Sequence, residues 1–214
     1  AQPTDEKRII LVADATAGGQ RELWGEQGNP AWLNDVANVR TFLGKTSLEY
    51  EQLLELIDLE FINPAHDIAI NHLDGSCDLD KKELTTLDPP KLDRMQRFLR
   101  LWRKLGGWQL WELDLVLRAP AIGNGSLDEP FLVRLYYFAR LRSRLGTKVT
   151  VSQLCALFDD LSTETHFAGA HTKRIEGFYQ SVFLNRRVAQ PIDPAFEVAA
   201  VDVPAPTVEK ISGH

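Results

Sequence analysis

The stretch that most constrains this chain is DPPKLDRMQRFLRLWRKLGG, residues 88–107. At 100° per residue, Leu92, Met95, Phe98, Leu99, Trp102 and Leu105 fall in one arc of roughly 140°. Arg94, Arg97, Arg100, Arg103 and Lys104 take most of the opposite side, with Leu101 at the margin. This segregation predicts an amphipathic helix from Lys91 to Leu105, with Asp88 as N-cap and Pro89 at the first helical position. It also argues against a base-stacking surface, which needs aromatics exposed within the basic face. Gly106-Gly107 ends the helix, and a second runs from about Gln109 to Arg118, stopped by Pro120.

The same grammar recurs along the chain. Trp32, Leu33, Val36, Val39 and Leu43 keep helical spacing between Pro30 and a stop at Gly44. Thr46 with Glu49 has the form of a capping box opening SLEYEQLLELIDLEFI, which Asn63-Pro64 ends. Ser126 with Glu129, and Thr150 with Gln153, have the same form. They predict a helix over 127–145, stopped by Gly146, and another lined by Leu154, Leu157, Phe158 and Leu161. IEGFYQSVFLN reads as a last short helix.

The expected fold class is therefore mainly α: an array of short amphipathic helices with short connections. Residues 1–31 are a weakly patterned N-terminal segment, in which RIILVA reads as a short strand or helical turn broken by Gly18-Gly19. Residues 32–187 form the helical domain, interrupted at 65–90 by a small β-hairpin or irregular insertion, where Ile68 and Ile70 alternate ahead of an Asp74-Gly75 turn. Residues 188–214, with Pro191, Pro194, Pro204 and Pro206, read as an extended tail. No self-similar period of repeat-protein length is present.

Hydrophobic residues at 44% and charged residues at 25% suit a globular core. The net charge of −6 opposes nucleic-acid or anionic-membrane binding by the chain as a whole. Cys77 and Cys155 form neither a disulfide framework nor a C-x-x-C pair. No apolar run approaches the ~20 residues of a membrane span, and the N-terminus is not a signal peptide. A start at Ala1, with no initiator methionine, is what a processed chain or an excised piece of a longer one shows.

HDIAINHLDGSCDLD gathers His66, Asp67, His72, Asp74, Cys77, Asp78 and Asp80. Its spacing fits no zinc pattern, and a calcium loop would need its glycine at position six, not directly after Asp74. It reads as a polar loop, with no metal or cofactor expected. No G-x-S-x-G, H-E-x-x-H, P-loop or G-x-G-x-x-G motif occurs. Asp159 and Asp160 are adjacent on a helix and point apart, and His166 and His171 flank a Gly/Ala-rich loop with no nucleophile near them. No catalytic residue is assigned, and an enzyme is not expected. The candidate site is the basic face Arg94, Arg97, Arg100, Arg103 and Lys104, read as an interdomain or intramolecular ion-pair face, otherwise a solvated one. Glu112, Asp114, Asp128 and Glu129 are its nearest acidic partners in sequence.

RFLRLWRKLGGWQLWELDLVL resembles a run in the A components of bacterial insecticidal toxin complexes, the Tc toxins. FLGKTSLEYEQLLELIDLEFINP, CDLDKKELTTLD and YQSVFLNRRVAQPIDPAF resemble further landmarks of that family in the same order, spanning about residues 31–196. The doubled glycine at 106–107 departs from the single glycine usual there. The resemblance implies a segment of the α-helical outer shell of a very large, secreted or surface-held homopentamer that binds host cells and translocates a toxic enzyme carried by other components. Its partners would be neighbouring domains or protomers, and indirectly those components and the host-cell surface. The segment would be non-catalytic, would not span a membrane and would bind no nucleic acid. A related plasmid-borne virulence protein family shares some landmarks. The alternatives from other classes are a free-standing helical adaptor and, more weakly, a nucleic-acid-binding helical domain.

Overall fold

The computed structural model describes residues 10–158, 161–168, 173–187, 190–192 and 194–196. They are mainly helical, with two small antiparallel sheets. The expectations for Asp159, Asp160, His171 and the far C-terminal tail lie outside the described residues.

The N-terminal region forms a helical turn at Ile10-Leu11 and then α1 (Ala17–Leu23), which carries the glycine pair expected to break the preceding RIILVA segment. Asp14 explains this. Its carboxylate accepts from the Thr16 amide and hydroxyl, and a Cβ on Gly19 would sit 1.8 Å from Asp14 Oδ2. Glycine is there to let that carboxylate approach the first turn. Trp24, just past α1, is buried on Phe42, with ring centroids 5.3 Å apart.

Next come α2 (Trp32–Ala37) and α3 (Val39–Thr46), where one helix was expected. The break is at Asn38, held extended: its side chain accepts from the Thr41 amide, capping α3, and donates to the Asp80 carbonyl. Gly44 does not stop α3, and Thr46 is not an N-cap; its hydroxyl bonds back to the Phe42 carbonyl at 2.7 Å. The capping box is instead Glu49 with Gln52, opening α4 (Tyr50–Ile57). α4 ends five residues before Ile62 because the buried Asn63 side chain captures the chain there. Its amide donates to the Ile57 and Ile68 carbonyls, and its oxygen accepts from the Asp67 and Ile68 amides.

The insertion is a hairpin: β1 (Ile70–His72) pairs antiparallel with β2 (Lys82–Leu84), Ile70 opposite Leu84. α5 (Pro89–Leu105) has the expected cap, Asp88 accepting from the Lys91 amide at 2.8 Å. Leu92, Met95, Phe98 and Leu99 are buried, as is the marginal Leu101. Trp102 and Leu105 are only partly buried. α6 (Leu110–Arg118) follows, buried at every residue from Leu110 to Leu117. A helix enclosed on all sides is normally apolar all round. α6 carries Glu112 and Asp114, so both must find partners.

α7 (Glu129–Leu145) is capped by Asp128, not by Ser126; the Asp128 carboxylate accepts from the Phe131 amide at 2.8 Å. α8 (Val151–Cys155) has the expected Thr150–Gln153 box but stops early, leaving Leu157 73% exposed. A second hairpin, β3 (His166–Ala168) with β4 (Lys173–Ile175), was not foreseen. α9 (Phe178–Phe183) is the expected last helix. Beyond it, Pro194–Phe196 is a 3-10 turn folded back onto α9: Phe196 stacks on Phe183 at 4.9 Å, and its carbonyl accepts from the Tyr179 hydroxyl. That part of the tail is therefore not extended. The core is one cluster running from Ile10 through α3–α7 to Ala168.

Candidate functional site

Much of the basic side of α5 is engaged by the chain itself. Arg97 is the centre: Nε donates to the Ile10 carbonyl at 2.6 Å, and Nη2 to the Leu127 carbonyl at 2.5 Å and the Leu11 carbonyl at 3.3 Å. Nη1 reaches Asp93, one turn earlier, at 3.4 Å. Asp93 in turn accepts from the Asp14 amide at 2.9 Å. One guanidinium thus ties the N-terminal segment and the loop before α7 to α5. Arg94 donates to the Phe61 carbonyl at 3.1 Å and lies over the Phe61 ring. Arg103 donates to the Thr46 carbonyl at the end of α3. Arg100 is half-buried, and its Nε has no hydrogen-bond partner. Burial, and then the neighbouring Arg100, hold the Arg103 guanidinium below its ordinary value. Lys104 lies exposed in the last turn, where a cation suits the helix dipole.

Within this chain the face meets mainly backbone carbonyls. Among the described residues, Asp93 is the one carboxylate at ion-pair distance from the four arginines. Helix ends and turns leave carbonyls without intrahelical partners, and a guanidinium presents five donors in a fixed fork to meet them. Three of the four acids expected opposite this face are engaged elsewhere. Glu112 accepts from Arg142 at 2.9 Å and from the Gln109 amide in a capping box. Asp114 binds Arg118, and Asp128 caps α7.

The His/Asp/Cys segment is dispersed in the same way. Asp78 and Asp80 grip Arg40 at 2.8 and 2.6 Å, Asp67 binds Lys91 at 2.6 Å, and His66 reaches Glu60 at 2.9 Å. Asp74 closes a turn on Ser76. Among the described residues, no three His, Cys, Asp or Glu side chains gather as a metal site would require. Cys77 is exposed and Cys155 buried, and the two are not joined in a disulfide.

The most charged interior feature was not foreseen. Asp114, 1% exposed, accepts from the Phe61 amide at 2.9 Å and from Arg118 Nε at 2.8 Å. Arg118 turns its other two nitrogens onto both oxygens of Glu164, a bidentate pair that ties α6 to the segment before β3. His166, two residues on, stacks on Trp111 at 5.2 Å with 19° between planes. Neither the His166 Nε2 nor the Trp111 Nε1 has a hydrogen-bond partner. Burial would lower the Arg118 guanidinium, but Glu164 and Asp114 hold it above its ordinary value. Burial opposes charge on Glu164, yet Arg118 keeps its carboxyl below the usual range. Burial pushes Asp114 up against the pull of Arg118 and the Phe61 amide. His166 is pushed down to about 4 by burial, with Glu164 pulling the other way, so it is neutral near pH 7. Two features of this network were legible: Asp114 and Arg118 are four apart on one helix face, and Glu164 and His166 alternate as on one strand face. Its closure between α6 and β3 was not.

A groove of about 910 Å³ lies between the α5–α6 link, α7, α8 and β4. Its wall includes Trp108, with the Arg142 guanidinium 4.6 Å from the ring centroid, and Trp111. Thr150, Ser152, Lys173 and Arg174 supply polar groups. A smaller cavity of about 280 Å³ touches Arg118, Cys155, Ser162 and Glu164. In the groove Glu112 is paired with Arg142, and in the smaller cavity Glu164 is paired with Arg118. No helix among the described residues is long and apolar enough to cross a membrane. Comparison with protein-family models, with curated proteins and with solved structures finds no match.

Proposed function

We propose that this chain is a non-catalytic structural segment of a Tc-type toxin A component, forming part of its α-helical outer shell on a secreted or surface-held assembly. The observation that carries the reading is the order of the four resembling segments and where they lie in the fold. FLGKTSLEYEQLLELIDLEFINP is α3, α4 and the Asn63 turn; CDLDKKELTTLD contains β2; RFLRLWRKLGGWQLWELDLVL is most of α5 and α6; YQSVFLNRRVAQPIDPAF contains α9 and the returning turn. The first three supply much of the buried core. The resemblance thus falls on residues that determine the fold.

The test is expression of the whole reading frame containing this sequence, followed by electron microscopy of the purified product. A large multisubunit particle with a central channel, and with the helices of residues 32–187 in its outer wall, is the expected result. A small product that stays monomeric refutes the reading, as does a particle whose wall lacks these helices.

A further inference from the structure

We propose that the outer face of α7 is a docking seam for an acidic amphipathic helix of another polypeptide. Val133, Tyr136 and Tyr137 are 51%, 60% and 62% exposed, on a helix whose Phe131, Leu135 and Phe138 are buried on the other side. Val133, Tyr137, Arg140 and Arg144 are spaced four, three and four residues apart, the heptad spacing of a helix–helix seam. At 100° per residue they share an arc of about 60°, three turns long and about 17 Å from end to end, with Tyr136 flanking. An ordinary surface helix shows polar residues there. This one shows tyrosine and arginine, the types that dominate interface energetics.

Charge selects the partner. From Pro130 to Phe158 the sequence has Arg134, Arg140, Arg142, Arg144 and Lys148 and no Asp or Glu, in a chain of net charge −6. Arg142 is turned inward to Glu112, and Arg134 donates to the Ile122 carbonyl. Arg140 and Arg144 are exposed, with no acidic partner among the described residues. A helix with apolar residues against Val133 and Tyr137 and carboxylates against Arg140 and Arg144 would satisfy the whole face. A second copy fits poorly. Among the described residues, no helix of eight or more residues besides α7 exposes a large apolar side chain. A nucleic-acid strand fits less well: the chain is acidic, the face is one convex helix, and the two tyrosine rings meet edge to face at 5.4 Å.

The experiment uses the full 214-residue chain. A fluorescein-labelled synthetic helix with Leu at a and d and Glu at e and g is titrated by anisotropy, beside its scrambled isomer, its Lys-for-Glu counterpart and a 20-nucleotide oligothymidylate. The Glu peptide is expected to bind. Arg140→Glu/Arg144→Glu is expected to weaken it at least tenfold, and Tyr137→Ala severalfold, with circular dichroism and Tm unchanged. Binding is also expected to fall as salt rises. Equal binding of the scrambled peptide, indifference to the double variant, or tighter binding of the oligonucleotide each overturns the seam. So does self-association by sedimentation that the double variant abolishes. The seam is independent of the toxin reading, and its failure leaves the microscopy of the parent frame to decide that reading separately.

Discussion

Arg97 offers the sharpest test of how this fold is held. An exposed ion pair between helix faces would contribute ~0–1 kcal/mol. The observed residue is different: its side chain is 13% exposed, its bonds to Ile10 and Leu127 are short, and its carboxylate neighbour Asp93 is 8% exposed. Arg97→Met keeps the apolar stem and removes the fork. It strands three carbonyls and leaves Asp93 with the Asp14 amide as its remaining partner. Removing one partner of a buried pair costs about 3–5 kcal/mol, and a charged hydrogen bond contributes about 1.5–3 kcal/mol, not additively. The expected loss is therefore about 3–5 kcal/mol, a large part of a typical domain's stability. Urea unfolding followed by tryptophan fluorescence reads it as a drop in midpoint of about 1.5–2.5 M at a slope of about 2 kcal/mol/M. Hydrogen exchange should quicken first over residues 10–24. Adding Asp93→Asn should recover part of the loss by removing the stranded charge. A loss below about 1 kcal/mol with unchanged exchange would mean that the clamp does not hold the segment.

His166 has a folded value of about 4 against an ordinary 6.5, so the unfolded chain takes up its proton first as pH falls. Its contribution is fully present above pH 6.5 and is lost between there and about 4, on the order of 3 kcal/mol. Asp114, pushed up by burial, works in the opposite sense, losing stability as pH rises above 3.8. The comparison is therefore wild type against His166→Phe by denaturant titration at several pH values, and parallel curves would contradict the burial of the imidazole. Phe98→Ala, at a residue 0% exposed and stacked on Phe61 at 5.9 Å, should cost about 3–5 kcal/mol in guanidinium unfolding. Gly106 sits at φ 58 and ψ 133, where a Cβ is strained, so Gly106→Ala should cost about 1–2 kcal/mol and lower Tm by several degrees. An unchanged Tm would show that the α5–α6 corner tolerates another conformation.

The doubled glycine illustrates how far local reading goes. Both glycines hold positive φ, 58 and 69, so the punctuation was legible, while the direction in which it sends α6 was not. Caps behaved similarly. Asp88 and Thr150 acted as expected because their partners are within three residues. Asn38 and Asn63 ended helices through bonds or packing set by chain brought from elsewhere, including the Asp80 and Ile68 carbonyls. The pairing of β3 with β4 sits where Glu164 and His166 meet Arg118 and Trp111 on α6.

What the sequence alone determined is the periodicity: which faces are apolar, that helices dominate, and that a short hairpin or irregular insertion interrupts them, since these depend on spacing within one element. What only the tertiary structure decided is the use of each charge. Arg94, Arg97 and Arg103 form one side of a helical wheel in either account, but their partners are carbonyls 30 to 87 residues away, which no local pattern encodes. A helical wheel sorts polar from apolar; it cannot tell a face turned to water from one turned to the ends of other helices, because both present polar groups to it.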